Sequence, residues 1–209
     1  MSTKHLISLA GGSLLAVMCL SSHAAPKAVP KTAAVAPAEA ATSSDGNAIS
    51  PQKMADALHA IIKADRTVYT KMVVNRLANE EQILEASEHW QEEKALPLPA
   101  QMLRAGAELV QEQNLGFSYG LLSLYAINSQ NKPKTDTETQ GLQEVAAYPE
   151  KNFYKEETLG GKRYFTAVYA DRSVTEACVS CHNHHKDSPK KDFKLNDVMG
   201  GIIIRIPLN

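Results

Sequence analysis

The chain has 209 residues, 44% of them hydrophobic and 22% charged, with a formal net charge of −1. That length suits one ordinary domain with extensions, and the charge pattern shows no basic stripe of the kind nucleic acid requires. Past the N-terminus no apolar run is long enough to cross a membrane.

Residues 1–24 read as an export signal. Lys4 and His5 form a short polar start, Leu6 to Leu20 is an uncharged and mostly apolar run, and Ser21-Ser22-His23-Ala24-Ala25 supplies small residues for cleavage. Cleavage as a lipoprotein at Cys19 is disfavoured by Met18, which stands where a small residue is wanted. Residues 25–49 are rich in Ala, Pro, Ser and Thr and read as a flexible linker, because they carry too little apolar surface to bury. The folded domain is expected over residues 50–209, a normal size for one core. The mature protein is expected in the periplasm, without a membrane span.

Ser50-Pro51 reads as an N-cap followed by proline at the first helical position. Met54, Leu58, Ile61, Ile62, Val68, Met72, Val73 and Leu77 then recur at three- and four-residue steps, which predicts an amphipathic helix over 51–77. Asn79 is expected to cap a second helix running through Ile83, Leu84 and Trp90. Pro97 and Pro99 should end it and start a third helix that stops near Asn114. Phe117 to Asn128 reads as a strand and Thr135 to Ala147 as a short helix. Strand-like segments flank Gly160-Gly161, a hairpin turn signal. A polar loop is expected over 182–192, and "DVMGGIIIRIPL" reads as a final strand. Helices first, then antiparallel strands around one helix, give an α+β fold; by analogy it is PAS-like, with the long N-terminal helices packed outside the sheet.

The chemistry concentrates in "ACVSCHNHH", residues 177–185. A disulfide between Cys178 and Cys181 would close too short a loop to stabilise much. Cys178-Val179-Ser180-Cys181-His182 is C-x-x-C-H, the attachment pattern of c-type haem. Each thiol adds to one vinyl group, and the histidine directly after the second cysteine lies under the iron as proximal ligand. One covalently attached haem c is therefore expected on Cys178 and Cys181, with His182 ligating the iron through one ring nitrogen and donating the other to a carbonyl or carboxylate. Two alternatives stand beside this. A zinc site could use Cys178, Cys181 and His184 or His185, but no second C-x-x-C completes the usual set of ligands. A thioredoxin-like dithiol belongs at a helix start in a βαβ unit, and no such unit is visible. The His- and Lys-rich tail from Asn183 to Lys191 reads as a solvated loop or as cations beside the haem edge.

The chain resembles the single-haem c-type, PAS-like sensor-domain family long catalogued as a domain of unknown function. The resemblance lies in "RTVYTKMVV" (66–74), "ASEHW" (86–90), "LPLPAQMLR" (96–104), "FSYGLLSL" (117–124), "GGKRYFTAVYAD" (160–171), "EACVSCHN" (176–183) and "DFKLNDVMGGIIIRIPL" (192–208). It implies haem in a PAS-like fold and a role in redox or small-ligand sensing, or in one-electron transfer. No output module follows the last strand, so this is similar to a free-standing version, with a separate redox partner or signalling protein and, where it senses, a small gaseous ligand. In some relatives a cysteine thiolate is the sixth iron ligand, and residues 25–209 hold no third cysteine.

The sixth position needs another residue, a small molecule or nothing. His184 and His185 are too near His182: the path around a porphyrin is about 20 Å, and two or three residues span at most about 10 Å. Met72, on the N-terminal helix, is the candidate distal ligand, with Met102 and His89 in reserve. A haem peroxidase-like enzyme is the catalytic alternative and would need a distal acid/base such as His59 or His89. A zinc-held interaction module is the third class.

Overall fold

The computed structural model describes residues 48–208, so the expected signal peptide and almost all of the expected linker lie outside the described residues. Ser50 caps helix α1 (Pro51–Val68) by accepting from the Lys53 amide at 3.3 Å, and proline fills the first position. The helix does not stop there. It continues as a π-helix over Tyr69–Glu80, whose wider i→i+5 bonding is rare and is frequently found at functional sites. Beyond it the expected second helix is absent. Ala86–Ser87 (β1) and Leu96–Pro97 (β2) form a short parallel pair around one helical turn, Trp90–Glu93 (α2). Gln82 and Lys94 take left-handed backbone conformations that interrupt a helix. Ile83, Leu84 and Trp90 remain exposed, so no apolar face holds a helix there.

The start of helix α3 (Pro99–Glu112) is held by Gln101, whose side-chain oxygen accepts from the Leu98 amide at 2.9 Å while its nitrogen donates to the Glu88 carbonyl at 2.8 Å. Strand β3 (Ser118–Leu122) is shorter than expected. A 3₁₀ turn over Ser129–Asn131 leads to helix α4 (Asp136–Ala147), where Thr135 and Glu138 form a reciprocal capping box. Strands β4 (Phe153–Leu159) and β5 (Lys162–Arg172) meet at Gly160-Gly161, both with positive φ, as a tight two-residue hairpin requires. Helix α5 (Glu176–His184) carries the cysteine motif, and β6 (Val198–Pro207) ends the fold.

The main sheet is antiparallel in the order β3-β6-β5-β4, so the C-terminal strand is internal. Alternation along β5 and β6 sends Ala167, Tyr169, Ile202, Ile204 and Ile206 to one face, packed with Ala55 of α1 and Leu103 of α3. Val168 and Ile203 go to the other, against Leu142 and Val145 of α4. The fold is thus α+β, with an antiparallel sheet between the N-terminal helices on one face and α4 on the other. Among the described residues no helix is long and apolar enough to cross a membrane.

Each face buries a polar cluster. On the α4 side, Arg205 donates to Glu138 at 2.7 Å and to Glu157 at 3.0 Å, and the Thr166 hydroxyl donates to Glu157 at 2.6 Å. Burial alone would raise the Glu157 carboxyl; the hydrogen bonds from Thr166 and Arg205 and the Arg205 charge outweigh it and hold the group below its usual range. On the other face, Tyr154 and Tyr169 both donate to Asp56, at 2.7 and 2.8 Å. His59 stacks on Tyr169 with centroids 3.9 Å apart, and its Nε2 is buried without a partner. Burial, then the nearby Lys63 charge, lowers His59 to about 4.

Two outcomes are expected. Arg205→Met leaves two buried carboxylates facing each other and should cost about 3–5 kcal/mol, read by urea unfolding. His59 binds its proton in the unfolded chain near the ordinary histidine value of 6.5 but in the fold only near 4. The unfolded state therefore binds more protons across that window, and stability falls as pH drops through it. His59→Phe keeps the stacking and should flatten the profile of unfolding free energy between pH 6.5 and 4.

Candidate functional site

Thr175 precedes α5, and the first turn of that helix places Cys178 with its sulfur 3.4 Å from the Thr175 hydroxyl. Three residues on, Cys181 lies on the same side, as i,i+3 spacing dictates, and His182 follows. All three line one cavity of about 540 Å³. The cysteines are free thiols, and burial, followed by the neighbouring Cys178, raises the Cys181 thiol.

The rest of the wall comes from distant parts of the chain. The π-helix contributes Thr70, Val74, Asn75, Ala78 and Asn79, at the four- and five-residue steps that i→i+5 winding brings to one side. The start of α3 adds Leu98, Pro99, Ala100, Gln101 and Arg104. The end of the sheet and the segment after it add Leu121, Leu122, Tyr125, Ala126 and Ile127. Here the pairing of β5 with β6 is irregular: Asp171 opposes Gly200 and Arg172 opposes Val198, so Met199 is the extra residue of a bulge. A side chain at Gly200 would sit 2.6 Å from the Leu122 carbonyl. Close approach of β3 and β6 at the cavity edge therefore requires glycine there.

His182 is held by its surroundings rather than by a hydrogen bond. The Phe193 ring meets it edge-on, with centroids 5.9 Å apart, and Phe193 is itself pinned by Asn183, which donates to its carbonyl at 2.9 Å and accepts from its amide at 3.0 Å. The expected donation from the second imidazole nitrogen is not made: Nδ1 is buried without a partner. Burial, then the charge of Arg66, lowers the His182 pKa and favours the neutral ring, the form that ligates metals. Arg66 reaches across from α1 to Asp171, donating through Nε at 2.9 Å and Nη2 at 2.7 Å, and both residues line the cavity. Its Nη1 is buried without a partner.

The other expected site residues lie elsewhere. Met72 is 63% exposed and absent from the cavity wall. Met72 follows Met54, Ile61 and Val68 on the exposed stripe of the helix, so the structure does not bring this expected distal ligand to the cavity. Met102 also lies outside the wall. His89 is exposed and pairs with Glu88 at 3.6 Å, and His59 packs on Tyr169 in the core. Among the described methionines only Met199 lines the cavity. The basic tail after α5 is not a row of cations beside it either. His184 bonds the Ser180 carbonyl at 2.8 Å, and Lys190 sits 5.0 Å over the Phe193 ring; only His185 of this tail reaches the wall. The cations that do line it are Arg66, Arg104 and Arg172. Sequence periodicity could not single these out, although Arg66 opens one of the segments that carry the family resemblance. Among the described residues no group of three or more His, Cys, Asp or Glu side chains is arranged to hold a metal ion by itself.

No curated protein matches the chain. Among solved structures, that of the cyanobacterial heme-protein Tll0287 is similar at 13% identity, covering 76% of this chain and 97% of that one, with a TM-score of 0.47. A protein-family model, Tll0287-like, matches residues 48–207. With the match spanning the whole of the sheet, its covering helices and the cysteine motif, the chain belongs to the Tll0287-like family.

Proposed function

We propose that this is an exported haem c protein, working in the periplasm, in which Cys178 and Cys181 hold one haem through thioether bonds and His182 ligates its iron. The observation that carries the reading is the convergence of these three side chains on one apolar-walled cavity of about 540 Å³. That volume lies in the range of about 300–1,000 Å³ typical of ligand and cofactor sites. The heme-protein description of Tll0287 points the same way for a relative. The donor set also fits the group: two thiols at C-x-x-C spacing, and a half-buried histidine whose neutral form is favoured. When bound, the haem supplies a one-electron couple and a coordination position for small molecules.

The residues of the chain do the rest. Val74, Ala78, Leu98, Ala126 and Ile127 keep the cavity wall apolar, and a low-dielectric setting tunes the iron potential. Phe193 and Asn183 fix the plane of the His182 ring. The two acid/base candidates of the peroxidase-like alternative, His59 and His89, do not line the cavity. A zinc-held module would need a fourth ligand that the described side chains do not bring to the cysteines.

Sensing of a small ligand is favoured over simple electron carriage by one observation. The residues that line the cavity from the π-helix and from α3 include no histidine, cysteine or methionine, so these walls offer the iron no strong axial ligand. A gaseous ligand and a separate redox or signalling partner follow from this reading.

Protein matured with a haem-attachment system should be coloured, and Cys178→Ala with Cys181→Ala should give colourless protein; a double variant that still binds haem covalently contradicts the assignment. His182→Ala should keep the thioether bonds and change the Soret band and spin state; an unchanged ferric spectrum contradicts the role of His182. Ferrous protein should bind carbon monoxide readily, at the same rate in Met72→Ala and in wild type. Slow binding that accelerates in Met199→Leu would instead identify Met199 as a sixth ligand and favour electron transfer.

A further inference from the structure

Arg66 and Asp171 lie 105 positions apart in sequence and meet through two hydrogen bonds of 2.9 and 2.7 Å at the cavity wall. Their side chains are only 18% and 12% exposed. Burial works against the guanidinium charge, and the Asp171 carboxylate outweighs it and keeps Arg66 protonated. Two opposite charges are thus fixed in a weakly screened place, on the wall that also holds His182. Neither makes a hydrogen bond to His182, whose Nδ1 has no partner, so whatever they do to this imidazole they do through space.

We propose that Arg66 and Asp171 are an opposed pair of charges that sets the electron affinity of the metal centre at His182, Arg66 favouring its reduced form and Asp171 its oxidised form. This rests on the haem reading above. Iron gains one positive charge when it loses an electron. A fixed cation nearby opposes that change and a fixed anion assists it. While the pair is intact the two effects largely cancel. Loss of either member leaves the other uncompensated in a low-dielectric wall, where its influence is greatest. The fold spends a buried bidentate pair at a position where an apolar contact could serve stability as well, and its placement on the cavity wall gives that choice a purpose. Arg66 and Asp171 are tuning residues in this account, acting on the iron without touching it.

The test is a double-substitution cycle on the full haem-loaded chain: wild type, Asp171→Asn, Arg66→Leu and the double variant. The midpoint potential is followed optically at neutral pH, and the thermal midpoint is measured separately. Asp171→Asn should move the potential upward and Arg66→Leu should move it downward. The double variant should return close to wild type. Asp171→Asn preserves side-chain shape, so its potential decides the matter even where Arg66→Leu does not fold. A potential that is unchanged or lowered in Asp171→Asn overturns the proposal, as does a double variant displaced as far as either single one. A purely structural pair would lower the thermal midpoint in every variant and leave the potential in place. Wild-type protein that takes up no haem under the same conditions would bring down the haem reading, and this proposal with it, and the absent Soret band would identify that case.

Discussion

The site depends on the contact between Arg66 and Asp171. It ties the N-terminal helix to the end of β5, immediately before the chain turns into α5. Further up the same face the helix is held to the sheet by the packing of Ala55, Leu58 and Ile62, by the hydrogen bonds of Tyr154 and Tyr169 to Asp56 and by the stacking of His59 on Tyr169. Leaving one member of such a buried pair alone is costly, about 3–5 kcal/mol, so the crossing of helix and strand is firmly specified at that point. Two features then follow in space. The chain beyond Arg66 winds as a π-helix and turns Thr70, Val74 and Asn75 toward the cavity. The chain beyond Asp171 passes through a bulge and places the cysteine helix on the same cavity.

The sheet explains why the cavity is where it is. Its centre is closed on both faces, by α1 and α3 on one side and α4 on the other. On the α4 side the Glu138, Arg205 and Glu157 cluster fills the space with satisfied polar groups. The cavity lies at the strand ends, where β3 stops at Leu122 and the β5–β6 register shifts at Asp171 and Arg172. Bulges at such ends commonly re-aim side chains toward functional sites. Here the bulge brings Met199 into the wall and Gly200 against the backbone of β3. The Asn183–Phe193 bracket closes the other side of α5, so that the histidine ring is set by packing before any metal is present.

Much of this was legible in the sequence because it is local. The capped start at Ser50, the diglycine hairpin, the helix begun by Thr135 and the alternation of "GGIIIRIP" each follow from short-range rules and are found in the structure. The cysteine motif was legible for the same reason, since spacing alone brings Cys178, Cys181 and His182 together. What was not legible depends on tertiary context. The helical period of Met54 to Leu77 gives no hint that winding changes after Val68, nor that the stripe of Met54, Ile61, Val68 and Met72 faces solvent. The apolar residues Ile83 and Leu84 looked like one side of a helix, yet the fold offers them nothing to pack on. The Arg66–Asp171 pair spans 105 residues, and no periodic pattern couples positions so far apart.

A covalent haem on α5 is the claim from which the rest of the functional account descends: the apolar wall, the neutral histidine and the paired charges have a common purpose only if iron sits among them. The most direct measurement is peptide mass spectrometry on exported, tryptically digested protein. Cleavage after Arg172 and Lys186 releases Ser173–Lys186, which contains both cysteines and His182. The account predicts this peptide with the added mass of one haem, retained after denaturation. The same peptide recovered with two free or mutually oxidised thiols, from cells competent to attach haem, would contradict it.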